Sequence, residues 1–138
     1  MTAKEYLQQI EILDELIETK QVELFQLRRL ATSVTVPVDR EAVQTSGVSD
    51  KVGEIAVKIV DLESKINNMI DNFIDLKSNC INIIDQVQSP LQHKILHKHY
   101  VQYKPLTVIA SEISYSYQYI LEIHQKALQE VEKILSKY

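Results

Sequence analysis

A chain of 138 residues with two Gly, three Pro and one Cys has the length of one domain, or of one small domain with an extended appendage. So few helix breakers among abundant Leu, Ile, Glu, Lys and Gln point to an all-α protein, and a lone cysteine excludes an internal disulfide, which suits a reducing cytosol. The net charge of −4 hides an asymmetry: residues 1–88 hold nine Lys or Arg against fifteen Asp or Glu, whereas residues 89–138 hold six Lys against four Glu. Positive charge, although sparse, gathers where a polyanion would be met.

Residues 1–5 carry no apolar run resembling a signal peptide. Nothing in the chain approaches the roughly 18 to 20 apolar residues of a membrane span. The expectation is a cytoplasmic protein with no membrane partner.

The first predicted helix carries Tyr6, Ile10, Leu13, Ile17, Lys20, Leu24, Leu27 and Ala31 in alternating steps of four and three. A second carries Val52, Ile55, Ile59, Leu62, Ile66, Met69, Phe73, Leu76, Cys80, Ile83 and Val87 in the same rhythm without a polar interruption. A repeat of 3.5 residues defines the apolar seam of a coiled coil. Leu7, Leu16, Leu30, Ile70, Ile74 and Ile84 widen that seam beyond a two-stranded interface. The fold expected over 1–88 is a long antiparallel helical hairpin, coiled-coil-like. Two readings of its use remain open: a hairpin closed within one chain, or one that also joins chains into a homodimer or higher oligomer. Between the helices, a linker near 32–49 contains β-branched residues, Pro37 and Gly47 and has no helical period. Ser49 or Asp50 could cap the second helix. Cys80 falls on the seam, where a buried thiol stays protonated and inert.

Residues 89–138 form the second expected domain. Ser89 before Pro90 reads as a cap with proline at the first helical position, and Leu91, Ile95, Leu96 and Tyr100 give that helix an apolar face. A short helix near 106–113 and a longer one from about 117 to 136 follow, with Leu128, Val131 and Leu135 extending the second one's buried face. Ile109, Ala110, Ile113, Tyr115, Ile120 and Ile123 stand at the offsets a helix-turn-helix must bury, and Ser114-Tyr115-Ser116 has the length of its turn. Ala110 matters most, because a larger side chain would hold the two helices apart. Such a motif commonly presents its second helix to the DNA major groove.

On that reading the exposed face of the second helix offers Ser116, Tyr117, Gln118, Leu121, Glu122 and Gln125 to base edges. Gln can pair bidentately with adenine, Glu can accept from cytosine N4, and Leu121 or Tyr117 can touch a thymine methyl. Lys98, Lys104 and Lys126 are candidates for phosphate contacts, with Thr107 near a helix amino terminus as another. Pro105-Leu106-Thr107-Val108 carries no capping box, and Arg is absent after position 40. A single copy of the domain is therefore expected to bind DNA weakly, since phosphate attraction supplies most non-specific affinity. The alternative use of the same unit is to bind another protein.

The stretch Leu96-His97-Lys98-His99-Tyr100-Val101-Gln102-Tyr103-Lys104, with Leu106, Ile109-Ala110, Tyr115-Ser116, Ile120 and Lys126-Ala127-Leu128, resembles the DNA-binding region four of bacterial sigma factors. The whole chain, including 31–33, 44–47 and 58–63, resembles a family of small phage and prophage proteins of Gram-positive bacteria, loosely grouped with the ArpU and RinA late-gene regulators. The resemblance implies a transcriptional regulator in the cytoplasm of the bacterial host, with double-stranded DNA as its partner. It implies action on phage late or packaging genes, with host RNA polymerase as a candidate second partner. Two rivals stand beside it: a protein–protein adaptor or structural coiled coil, and a small-terminase-like DNA-packaging recognition subunit.

Catalysis finds little support. His93 and His97 lie four apart on one helical face with His99 nearby, but local sequence supplies no carboxylate or Cys to complete a metal site. Asp14-Glu15 and Asp71/Asp75 read as solvated helix faces. No Gly-rich phosphate loop, nucleophile elbow or zinc-ligand set is present. The sequence is read as a non-enzyme without cofactor or metal.

Overall fold

The computed structural model describes residues 1–35 and 46–138, and side chains outside 34–49. The chain is all-α, with no strand among the described residues. Five helices follow in order: α1 (Ala3–Thr35), α2 (Ser46–Asp85), α3 (Pro90–Leu96), which runs on as a π-helical turn over His97–Val101, α4 (Leu106–Glu112) and α5 (Tyr117–Leu135). α1 continues four residues past Ala31, and α2 begins at Ser46. Ser49 and Asp50 therefore lie inside the helix rather than capping it. The helical period of 50–85 reaches further back than its apolar residues show. Pro37 and the rest of 36–45 lie outside the described residues.

Contacts divide the chain into two compact units, Met1–Asp14 with Asn72–Tyr138, and Glu15–Asp71. The boundary expected at residue 89 is not the one the packing draws. The reason lies in α5. Nineteen residues span roughly 28 Å at about 1.5 Å each, and its apolar stripe continues through Ala127, Val131 and Ile134 to its end. A short α4 covers only the first half of that stripe. The second half needs other neighbours and takes Ala3, Leu7 and Ile10 of α1 and Cys80, Ile83 and Ile84 of α2.

Within this first unit the core has two parts. One gathers those α1, α2 and α5 residues with Val87, Leu96 and Tyr100. The other is the small trihelical core of Ile95 from α3, Ile109 and Ala110 from α4, and Ile120 and Ile123 from α5, flanked by Leu91, Leu106 and Ile113. Polar ties fix the ends: Glu132 Oε1 accepts the Ala3 N–H at 2.7 Å, and Tyr103 donates its hydroxyl to Asp14 at 2.7 Å. Cys80 is buried, and burial pushes its thiol up to about 11, the chemistry of an inert thiol.

The second unit keeps the expected seam. Ile17 and Leu24 of α1 and Ile55 and Ile66 of α2 are buried, and Lys20, Leu27, Ile59 and Leu62 are half-buried. Arg28 reaches Glu63 at 3.3 Å. Leu16, Val22, Phe25, Leu30, Val57 and Val60 stay exposed beside the seam.

Candidate nucleic-acid interface

The head is built by local stops and starts. Ser89 Oγ accepts the Gln92 N–H at 3.3 Å, so the expected cap of α3 forms, with Pro90 at the first helical position. α3 then widens: over His97–Val101 the bonds run five residues back, as in Gln102 N–H to the His97 carbonyl at 3.1 Å. It ends at Tyr103, whose φ is 61°, with the Lys104 N–H on the Lys98 carbonyl at 3.0 Å. A bulky side chain in the left-handed region costs roughly 1 to 2 kcal/mol. The half-buried anchor of Tyr103 on Asp14 and the apolar core offsets that cost.

α4 ends in the same style. Ser114 takes φ 61°, and the Tyr115 N–H bonds the Ala110 carbonyl at 3.0 Å. This is a Schellman stop with serine where glycine is usual. Two residues later Ser116 caps α5, its hydroxyl accepting the Tyr119 N–H at 3.2 Å. Pro105 gives α4 no side-chain cap, in line with the missing capping box. A short helix, a tight turn and a capped longer helix thus share one core. Of the six apolar positions expected to be buried, Ile109, Ala110, Ile120 and Ile123 are buried and Ile113 is half-buried. Tyr115 is the exception, 46% exposed. The Schellman stop turns it outward, where its ring lies 5.2 Å from that of Tyr119.

Ser116, Tyr117, Gln118, Leu121, Glu122 and Gln125 are all exposed. Their spacing places Gln118, Leu121, Glu122 and Gln125 along one side of α5, with Tyr117 at its edge and Ser116 at the cap. The phosphate candidates differ in state. Thr107 is exposed in the first turn of α4, and Lys126 is exposed with its ammonium 3.9 Å from Glu122, a surface pair of little energetic weight. Lys98 and Lys104 are half-buried and both are held by Glu112, at 3.0 and 2.7 Å. Hydrogen bonds from Lys104 and then Lys98 pull the Glu112 carboxyl below its usual range. The sequence reading missed this clamp, because nothing in the spacing of 98, 104 and 112 says that they converge.

The histidines go separate ways. His93 Nε2 meets Asp85 Oδ1 at 2.9 Å, His97 Nδ1 meets the Gln102 amide at 2.9 Å, and His99 Nδ1 donates to the Lys104 carbonyl at 2.7 Å. Burial and the charge of His93 lower the His97 pKa. Among the described residues no three His, Cys, Asp or Glu side chains come together as ion ligands. The fourth histidine, His124, is the one the sequence reading passed over. It is 6% exposed, with Nε2 2.8 Å from the Tyr100 hydroxyl and its ring 5.2 Å from that of His99. Its place was legible: 120, 124, 127, 131 and 134 continue in steps of four and three, with one polar residue on the stripe.

Among the described residues no helix is long and apolar enough to cross a membrane. No family model, curated protein or solved structure matches the chain.

Proposed function

We propose that the chain is a phage-type, sequence-specific DNA-binding transcriptional regulator whose α5 reads bases in the major groove. One observation carries this reading. α4, its turn and α5 share the core of Ile109, Ala110, Ile120 and Ile123, while Gln118, Leu121, Glu122 and Gln125 stand exposed on the side of α5 away from that core, with exposed Tyr117 at its edge and Ser116 at the cap. That is the geometry a recognition helix needs: one stripe anchored, the other free to enter a groove. By the family resemblance its targets are phage late or packaging genes, with host RNA polymerase as the second partner. Selection of bound fragments from host and phage genomes, followed by anisotropy on the selected site and on random duplex, tests it. Gln118→Ala lowers affinity for the selected site by about 1 to 3 kcal/mol and leaves random DNA nearly unchanged. Glu122→Arg tightens binding to random DNA and blurs site preference, because attraction replaces repulsion beside the backbone. Equal, negligible binding by parent and variants to both DNAs would sink the reading.

The protein-only adaptor has one observation in its favour. Val108, Tyr115, Tyr117, Tyr119 and Leu121 are large apolar residues left exposed around the α4–α5 turn, a composition that suits a protein surface as well as thymine methyls. Loss of DNA binding in the test above would make it the better account.

Self-association completes the regulator. A weakly basic head gains affinity by pairing, and the apolar residues exposed beside the seam of the second unit, among them Leu16, Phe25, Val57 and Val60, supply the surface for it. Sedimentation velocity at micromolar concentration is expected to give a dimer. A strict monomer would remove oligomerisation, and a ring of many subunits would favour the packaging-recognition rival.

A further inference from the structure

Glu112 closes α4, and its two oxygens take ammonium groups delivered from another segment. Lys98 Nζ donates to Oε1 at 3.0 Å and Lys104 Nζ to Oε2 at 2.7 Å. The main chain at the two lysines is joined by bonds that do not involve Glu112. The Lys104 N–H donates to the Lys98 carbonyl, and His99 Nδ1 donates to the Lys104 carbonyl. The π turn and the left-handed stop at Tyr103 thus bring the two lysines side by side, and their ammonium groups converge on the Glu112 carboxylate. A pair of converging ammonium donors fits an oxyanion that offers two oxygens from one centre, such as a carboxylate or a phosphodiester.

We propose that Glu112 is an intramolecular occupant of a two-lysine phosphate site, displaced by the DNA backbone only when α5 is seated on its preferred sequence. The inference rests on the DNA-binding reading above. With Glu112 in place the cluster of Lys98, Lys104 and Glu112 carries one net positive charge instead of two. On random DNA nothing fixes the head in the groove, so exchanging a formed charged pair for a passing phosphate brings no gain, and the clamp stays shut. On the right sequence the base contacts of α5 hold the backbone against the lysines and the exchange goes forward. The counterion-release affinity of two lysines is thereby withheld from non-specific DNA. Discrimination by withholding attraction from the wrong partner is a form of specificity in its own right.

The test uses the full chain, with Glu112→Gln, which keeps the size and one acceptor of the side chain but removes its charge. Anisotropy titrations employ a random-sequence duplex over a range of salt, with heparin as a second polyanion. The variant is expected to bind random duplex on the order of tenfold tighter at moderate salt, with a log–log salt slope steeper by about one to two units. Lys104→Ala then weakens random-DNA binding in the Glu112→Gln background and hardly changes it in the parent. Urea unfolding accompanies each protein, and Glu112→Ala, expected to shift binding in the same direction, replaces Glu112→Gln if that variant fails to fold. No gain in binding by the folded variant overturns the proposal, as does a Lys104→Ala effect of equal size in both backgrounds. A lower unfolding midpoint with unchanged binding also overturns it, making the clamp only a tie between α4 and the π turn. If the variant gains on heparin and random duplex yet no sequence is preferred by either protein, the anion site stands and the regulator reading fails. If the parent prefers its selected site and the variant gains nothing, the regulator stands and the clamp does not.

Discussion

Ala110→Leu is expected to lower the stability of the head by roughly 1 to 3 kcal/mol and to abolish site-specific DNA binding. Ala110 is 5% exposed within the trihelical core, beside Ile109, Ile95, Ile120 and Ile123. The carbonyl of Ala110 also accepts the Tyr115 N–H that closes the turn into α5. A leucine at this position adds three carbon atoms where the nearest side chains are already β-branched and stiff. The strain has one outlet, which is to move α4 away from α5. That movement pulls on the Schellman stop and displaces the first turn of α5, where Ser116, Tyr117 and Gln118 stand. Ile17, Leu24, Ile55 and Ile66 lie in the other compact unit, and helix content there is expected to persist. Thermal unfolding followed by far-ultraviolet circular dichroism measures the first effect, and anisotropy on the selected site the second. A variant that melts with the parent and binds like it would mean that α4 and α5 do not work as a helix-turn-helix.

The seams of α1 and α2 were legible because burial with a period of 3.5 leaves a trace in one dimension. Ile10, Ile17 and Leu24, then Ile55, Ile66, Cys80 and Ile83, are buried where the pattern puts them. The caps at Ser89 and Ser116 were legible for a related reason, since their chemistry is local. What could not be read was anything set by neighbours distant in sequence. α5 outgrows the two short helices before it, and that length draws α1's first fourteen residues into the unit that holds the head. Tyr115 stands at an offset that a helix-turn-helix buries, but its position just after the left-handed Ser114 turns it outward. Lys98 and Lys104 read as phosphate contacts, and nothing in the spacing of 98, 104 and 112 shows that Glu112 holds both. Of the candidate site, the exposed face of α5 was visible in the sequence and the state of its cations was not.

Acid is expected to weaken the fold through His124. Three features surround its ring: the Tyr100 hydroxyl at 2.8 Å, the His99 ring edge-on at 5.2 Å, and the charge of Lys4 from α1. Burial, then His99, then Lys4 push its pKa down to about 4. Burial likewise pushes the Tyr100 hydroxyl up, so at neutral pH a neutral tyrosine donates to a neutral imidazole. In the unfolded chain the ring titrates near its ordinary value of about 6.5. As pH falls through that value the unfolded state takes the proton first, and the folded state resists until about pH 4. The contribution of His124 is therefore intact above about pH 6.5 and is lost between there and about pH 4, amounting to roughly 1 to 3 kcal/mol. His124→Gln keeps a polar partner for Tyr100 and cannot titrate. Urea unfolding of both proteins at neutral pH and near pH 4.5 isolates the effect, because every other titratable group is common to the two. The parent should lose more stability than the variant across that interval. Equal losses would mean that protonating His124 is no harder in the folded chain than in the unfolded one. Because His124 sits between Ile120 and Ala127 on the buried stripe of α5, the same protonation is expected to loosen the packing of α5. DNA binding should then fall in acid with the parent and hold better with the variant.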